Sequence, residues 1–293
     1  LRTAFTQFVE NVPFYGFACL CADHAEVQAL IPRVSDRKVV TYGLSVSADV
    51  RAVNLRLDQH GADYDVIVTN RVSDADRTIA GLRLPMFGRH NVQNSLAAVA
   101  VAVEMGIEDD VIRQGLASFT GVKRRFTRTG EAHGITVIDD YGHHPVEIAA
   151  VLKAARQAYG GRVIAVVQPH RYSRLAQLRE EFASCFGDAD IVVVADVYAA
   201  GEAPIEGVNR DMLVNALRRA GQREVLPLED PQDLPELVWQ VARPGDLVVC
   251  LGAGSITNWA YALPTALQKI ADERGGLRPV ANGPVVKDRG NAG

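Results

Sequence analysis

No stretch of this chain approaches the roughly 18 consecutive apolar residues needed to cross a bilayer, and the opening LRTAFTQFVE mixes charge with polarity where a signal peptide would be apolar. Basic charge is not in excess either. Lys and Arg number 31 against 35 Asp and Glu, a net charge of −4, so nucleic acid is not an expected partner. Cysteine is scarce: the four residues, Cys19, Cys21, Cys185 and Cys250, lie in or beside apolar runs. The C-x-C spacing of the first two is neither a redox C-x-x-C nor a zinc ribbon, so no metal site is read from them. They are expected as buried small hydrophobes of a reducing, cytoplasmic environment. Internal repeats are absent, and the first residue is Leu1 rather than methionine, as expected of a fragment or a processed product.

What is present is ordinary globular composition over 293 residues, 48% hydrophobic and 23% charged, enough for about two domains. Residues 1–10 carry Leu1, Phe5, Phe8 and Val9 at helical spacing. FACLCA (17–22), a helix opened by Asp23 as N-cap, and KVVTYG (38–43) form a strand–helix–strand unit of a parallel sheet. Residues 44–88 alternate in polarity and predict a small antiparallel elaboration. The Ala/Val-rich NVQNSLAAVAVAVEMG and then IEDDVIRQGLASF predict two helices. A domain boundary is expected in the Gly- and charge-rich GVKRRFTRTGEAHG (121–134). Beyond it strands at 135–140, 162–169, 190–198 and 246–254 alternate with helices, including RLAQLREEFASCF, with a further βα unit at 224–242. The whole is α/β, and the second domain is a Rossmann-like, doubly wound fold. The tail from Glu273, rich in Gly, Pro and charge, is expected to be poorly ordered.

In open α/β sheets, ligands gather at the carboxyl ends of the strands, and three such ends are polar here. DDYGHHP (139–145) offers carboxylates suited to ribose hydroxyls and histidines beside a helix start, where phosphate or carboxylate can bind. QPHRYSR (168–174) places His170, Arg171 and Arg174 over one helical turn. Arginine's planar fork suits bidentate anions. Two cations at a helix N-terminus oppose the macrodipole and call for a compensating anion. In VYAAGEAP (197–204), Tyr198 and Glu202 flank small residues, and Glu202 can hold an ammonium group or stand as an exposed loop acid.

Two further segments stand apart. GRHNVQN (88–94) opens the Ala-rich helix with His90, Asn91 and Asn94. Asparagine amides can pair with the donor–acceptor edge of adenine; N-capping by Asn91 would explain one of them and not the other. LGAGSI (251–256) lacks the third glycine of G-x-G-x-x-G and follows the last strand rather than the first, which argues against an NAD enzyme. It reads as a tight turn into the closing helix.

Taken in order, NVPFYG, GRHNVQNS, GVKRRF, DDYGHHP, QPHRYSR, YAAGEAP and LGAGSI resemble the Mur ligase family over nearly the whole chain. Within it they resemble the branch that joins L-alanine to UDP-N-acetylmuramic acid in peptidoglycan precursor synthesis. The resemblance implies that residues 1–124 are the distal part of a central ATPase α/β domain. It makes 125–272 the Rossmann-like C-terminal domain and leaves 273–293 as tail. It implies that His90, Asn91 and Asn94 contact adenine and that Arg125 and Asp140 reach the ATP ribose and phosphates. His143, His144, Arg171 and Arg174 would serve the acyl phosphate and incoming amino acid, with Tyr141, His170, Tyr198 and Glu202 lining the substrate. ATP and Mg2+ are the implied cofactors, with the magnesium ligands expected upstream of this chain. One departure is large: no G-x-x-x-x-G-K-[ST] occurs, so the lysine and backbone cradle for phosphates are missing. The chain by itself is therefore expected to be inactive. The alternatives are a ligase attaching a recycled murein peptide to the same nucleotide sugar, and a non-catalytic nucleotide-binding fragment.

Overall fold

The computed structural model describes residues 2–34, 36–58, 60–69 and 76–274. They divide into two compact units, Leu1–Thr127 with Val146–Gly160, and Arg128–Pro145 with Gly161–Gly293. The expectation for the tail falls, after Arg274, outside the described residues.

The first unit opens with α1 (Arg2–Glu10), β1 (Phe17–Cys21), α2 (Ala25–Leu30) and β2 (Lys38–Gly43). Three strands follow, β3 (Val50–Asp58), β4 (Gly61–Val68) and β5 (Arg77–Leu84), then α3 (Arg89–Glu104) and α4 (Asp109–Ala117). The antiparallel elaboration proves to be continuous with the parallel pair, in one five-stranded sheet ordered β1-β2-β3-β4-β5. β2 and β3 run parallel over only two residue pairs. A buried clamp reinforces that junction: Asp49 accepts from the Thr41 amide at 2.8 Å and hydroxyl at 2.6 Å. α3 lays Val92, Leu96, Val99 and Ala100 on this sheet, against Tyr64, Val66, Ile79 and Leu82. Asp23 is not the cap of α2. His24 holds that place, while the Asp23 carboxylate accepts from the Leu44 and Ser45 amides. On α1 only Val9 is buried, so Phe5 and Phe8 share its spacing but not its burial.

The second unit holds β6 (Thr127–Ala132), β7 (Ile135–Asp140), β8 (Val163–Val167), β9 (Ile191–Val194), β10 (Glu224–Pro227) and β11 (Leu247–Leu251). Between β7 and β8 the chain forms α5 (Pro145–Ala158), most of which clusters with the first unit. The remaining helices are α6 (Tyr172–Gln177), α7 (Arg179–Ser184), α8 (Arg210–Arg219), α9 (Leu234–Val241) and α10 (Ile256–Arg274). The sheet order is β10-β9-β8-β11-β7-β6, parallel from β10 through β7. β8, β9 and β11 are buried at every position, which is why they read as unbroken runs of valine and its kin. The helix expected over RLAQLREEFASCF is two short helices, because Leu178 leaves helical geometry (φ −112°, ψ 31°). All four cysteines are free, with Cys185 and Cys250 buried and the other two half-buried. Burial pushes the Cys19 thiol up to about 11 and Cys185 up to about 12, which disfavours the thiolate of both.

β6 was hidden in the boundary segment, and it accommodates a flaw in α10. Pro264 lies inside that helix and cannot donate to the Ala260 carbonyl. The Thr129 hydroxyl of β6 donates to that carbonyl instead, at 2.8 Å. Next to it Gly130 is required, since a Cβ there would stand 2.9 Å from the Pro264 ring. Both tryptophans, Trp239 and Trp259, belong to the second unit and report its unfolding selectively. Thr129→Val keeps the shape but orphans the Ala260 carbonyl, and is expected to destabilise this unit by about 1–3 kcal/mol. Urea unfolding followed by tryptophan fluorescence measures it; an unchanged midpoint would show that the carbonyl needs no replacement donor.

Candidate functional site

β7, β8, β9 and β11 end side by side, and their polar continuations meet there. Asp139 and Asp140 close β7 and are both buried. Asp139 accepts from the Thr257 hydroxyl at 2.6 Å, at the start of α10. Asp140 accepts from the Gly142 amide at 2.7 Å and so caps the turn that follows β7. Tyr141 and His143 then meet edge to face at 5.3 Å, and His144 follows, half-buried.

β8 leads through buried Gln168 to His170, which forms a β-bridge with Tyr198 beyond β9. Their rings stack at 5.5 Å with 15° between planes, and the His143 ring lies 5.5 Å from His170 on another side. Gln168 ties this platform to LGAGSI, donating to Ser255 Oγ at 3.1 Å and accepting from the Ile256 amide at 3.2 Å. The close approach explains the glycines: a Cβ on Gly254 would sit 2.5 Å from both Gln168 Oε1 and the Tyr198 ring.

The two imidazoles present opposite faces of the same chemistry. His143 Nδ1 lies 3.0 Å from the Tyr141 carbonyl, which can only accept, so Nδ1 carries a proton. His170 Nδ1 lies 3.2 Å from Arg174 Nη1, which can only donate, so its proton resides on Nε2. In its neutral form His143 would have Nε2 as the accepting nitrogen, whereas His170 has Nε2–H as a donor. Burial chiefly, then the neighbouring His143 and the Arg174 and Arg171 guanidinium groups, hold His170 below the usual histidine range, while Glu202 opposes them.

Arg171 precedes α6 with φ 73°, a conformation that costs a non-glycine residue free energy and that the surroundings must impose. Its amide donates to the Tyr198 carbonyl at 2.9 Å and its guanidinium lies 3.5 Å from Glu202. Glu202 also accepts from the Ser173 amide at 3.0 Å and hydroxyl at 2.6 Å. Glu202 thus supplies an anion to Arg171, while Arg174 turns to the ring and carbonyl of His170. Both oxygens of Glu202 are engaged, and Ser173 and Arg171 hold its carboxyl below the usual range. Ser173 and Gln168 lay inside the recognised blocks, but nothing in their spacing marked them; their roles arise from loops distant in sequence.

His90, Asn91, Asn94 and Arg125 belong to the first unit, where they line a cavity of about 730 Å3 walled by α3, α4 and the first turns of α5. The N-cap of α3 is Gly88, with φ 86°, so Asn91 is not the cap. Asn91 donates to the Phe87 carbonyl at 2.7 Å, which leaves Asn94 as the exposed amide. Burial first and Arg125 second lower the His90 pKa, keeping the ring neutral. Glu147 of α5, which sequence reasoning passed over, lines the same cavity 4.0 Å from Arg125. Among the described residues no three His, Cys, Asp or Glu side chains gather to hold a metal ion, and no helix is long and apolar enough to cross a membrane.

A mixed-sheet unit followed by a parallel, Rossmann-like unit with histidines and arginines at its strand ends defines a two-unit α/β protein of the ligand-at-strand-end class. Residues 1–102 match the Mur ligase middle domain and residues 124–254 the Mur ligase glutamate ligase domain. The chain belongs to the Mur ligase family. It is 62% identical over 274 residues to the UDP-N-acetylmuramate–L-alanine ligase of Rhodospirillum rubrum, covering 94% of this chain and 57% of that protein. It is 63% identical over 279 residues to the ligase of the same name from Gluconacetobacter diazotrophicus, covering 94% and 58%. The chain thus spans a little over half the length of these curated relatives. Among solved structures it resembles the UDP-N-acetylmuramate–alanine ligase MurC of Thermotoga maritima (TM-score 0.71, 24% identity, 92% of this chain and 55% of that one). It also resembles the MurF ligase of Thermotoga maritima in complex with ADP (TM-score 0.66, 17% identity, 92% and 57%).

Because His170 is held neutral in the fold, the stability it contributes is present above its ordinary pKa of 6.5 and lost as pH falls through the lowered one. The second unit should therefore weaken on acidification from pH 7.5 to 5.5, and His170→Gln should show a shallower loss. Tryptophan-monitored urea midpoints at the two pH values test this. Equal slopes in the two proteins would contradict it.

Proposed function

We propose that this chain supplies the amino-acid side and the adenine side of an ATP-dependent ligase that joins L-alanine to UDP-N-acetylmuramic acid. The observation that carries the reading is the pair of imidazoles in opposite hydrogen-bonding states, 5.5 Å apart, flanked by Arg171 and Arg174 at the strand ends. An amide synthesis from a carboxylate and an amine needs both functions. The curated relatives bear the name of the alanine-adding enzyme at 62–63% identity, which favours alanine over a peptide as nucleophile.

The reaction has two steps. ATP transfers its γ-phosphoryl group to a carboxylate oxygen of the sugar's lactyl arm, forming an acyl phosphate and ADP. The alanine nitrogen, having lost a proton, attacks the carbonyl carbon, and the tetrahedral intermediate expels phosphate to leave the amide. Phosphoryl and acyl transfer of this kind depend on positioning and on charge stabilisation. His143 Nε2 takes the ammonium proton, and His170 Nε2–H donates to an oxygen that gains charge. Arg171 and Arg174 hold the anionic groups, and Tyr141 and Tyr198 wall the pocket. Glu202 acts by fixing Arg171, not by holding the ammonium group. Asp140 and Arg125 serve ribose and phosphate, and His144 stands beside the acyl phosphate.

His90 and Asn94 read the adenine edge at the start of α3, with Asn91 fixing the loop before it. The ADP carried by the MurF relative supports a nucleotide in this fold. Among the described residues no three His, Cys, Asp or Glu side chains assemble a magnesium site. Nor does the chain contain G-x-x-x-x-G-K-[ST], so by itself it is not expected to turn over.

Alanine-dependent phosphate release tests the reading. A longer protein, adding the segment by which the relatives exceed this chain, should be active, and the chain alone should not. In the longer protein Arg171→Ala with Arg174→Ala should abolish release. His143→Gln should lower kcat on the order of 10²–10⁴-fold with little change in KM for alanine. Near-normal turnover in the double arginine variant would sink the assignment, and turnover by the chain alone would sink the account of what it lacks.

A further inference from the structure

The cavity of the first unit is longer than a purine needs. Its α3 wall comes from one helix face, with His90, Asn94, Ala98 and Ala102 recurring at four-residue steps. At about 1.5 Å per residue, the twelve steps from His90 to Ala102 extend roughly 18 Å, well over twice the length of a purine bicycle. The volume of about 730 Å3 also suits a drug-sized molecule better than a single heterocycle.

Polarity is confined to one end. His90 feels the charge of Arg125, and Arg125 lies 4.0 Å from Glu147, so these three and Asn94 gather at the start of α3. Of the lining residues further along α3, Ser95 alone is polar. Its hydroxyl is already 2.7 Å from the Tyr64 hydroxyl and 2.7 Å from the Val92 carbonyl, to which it donates. The walls beyond are apolar, among them Ala102, Ile112, Leu116 and Phe119, and small residues (Ala98, Gly115, Ala150) keep them apart. A ribose or a phosphate placed there would lose its water and find no partner. Sugar and phosphates must therefore leave through the polar end, and only an uncharged apolar group suits the other.

We infer that the cavity is bipartite: a polar end for a purine and, continuous with it, an apolar site for an uncharged ring or branched alkyl group. The ligand class it takes is a purine, or a flat purine mimic, bearing an apolar substituent. This rests on the adenine assignment made above and extends it.

Adenosine is the probe, because without phosphates it does not depend on a phosphate loop. The whole chain is titrated by ligand-observed NMR with adenosine and with adenosines carrying a benzyl group at C2, N6 or C8. At least one benzylated compound is expected to bind about tenfold or more tighter than adenosine, as burial of a ring-sized apolar surface predicts. Ala98→Leu and Ala102→Leu, which each fill the apolar end with a good helix former, should erase that gain and leave adenosine binding nearly unchanged. If adenosine binds and no benzyl position gains, the apolar site is overturned while the adenine assignment stands. A gain that survives both leucine variants overturns it too, since the ring then sits elsewhere. If adenosine does not bind, the adenine assignment falls and the inference with it.

Discussion

A parallel strand buried on both faces can present polar side chains only where it ends. In the second unit, β8, β9 and β11 are apolar at every position, so chemistry is pushed to the residues that follow them. The strands run in the same direction, and those residues collect along one edge. Everything in that site depends on this placement. Gln168 can bridge from β8 to the loop after β11, and His170 can pair with Tyr198 beyond β9, because neighbouring strands end at matching heights. Gly254 has no room for a Cβ for the same reason.

Charge is arranged around that edge with little freedom. Arg171 and Arg174 stand at the start of a short helix, where positive charge is unfavourable. Glu202 answers Arg171 from another loop, and Ser173 holds Glu202 in place. Arg174 in turn fixes the proton of His170 on Nε2, and the Tyr141 carbonyl fixes that of His143 on Nδ1. The two rings are chemically alike in the unfolded chain. Their different partners make one a donor and the other an acceptor.

The blocks that mark the family were legible from residue types alone, as was the division into strands and helices. The reason is that buried strands and amphipathic helices differ in period. Less legible were features set by partners distant in sequence. β6 hid in a glycine- and charge-rich segment because an edge strand need not be apolar. Asp23 looked like a helix cap, yet two backbone amides from the loop after β2 claimed its carboxylate. Asn91 likewise looked like a cap and proved to be a brace for Phe87. In each case a local rule was outweighed by a hydrogen bond that folding alone brings into reach.

Composition, period and the order of the polar blocks determined, without any structure, an α/β chain whose candidate site residues lie at strand ends and at the start of an alanine-rich helix. Those properties are written in residue type and spacing. Tertiary structure alone decided which carboxylate answers which arginine, which imidazole nitrogen carries its proton, and how far an apolar cavity runs along α3. Hydrogen bonds and cavities belong to pairs and groups of residues far apart in the chain, and no single stretch of sequence contains them.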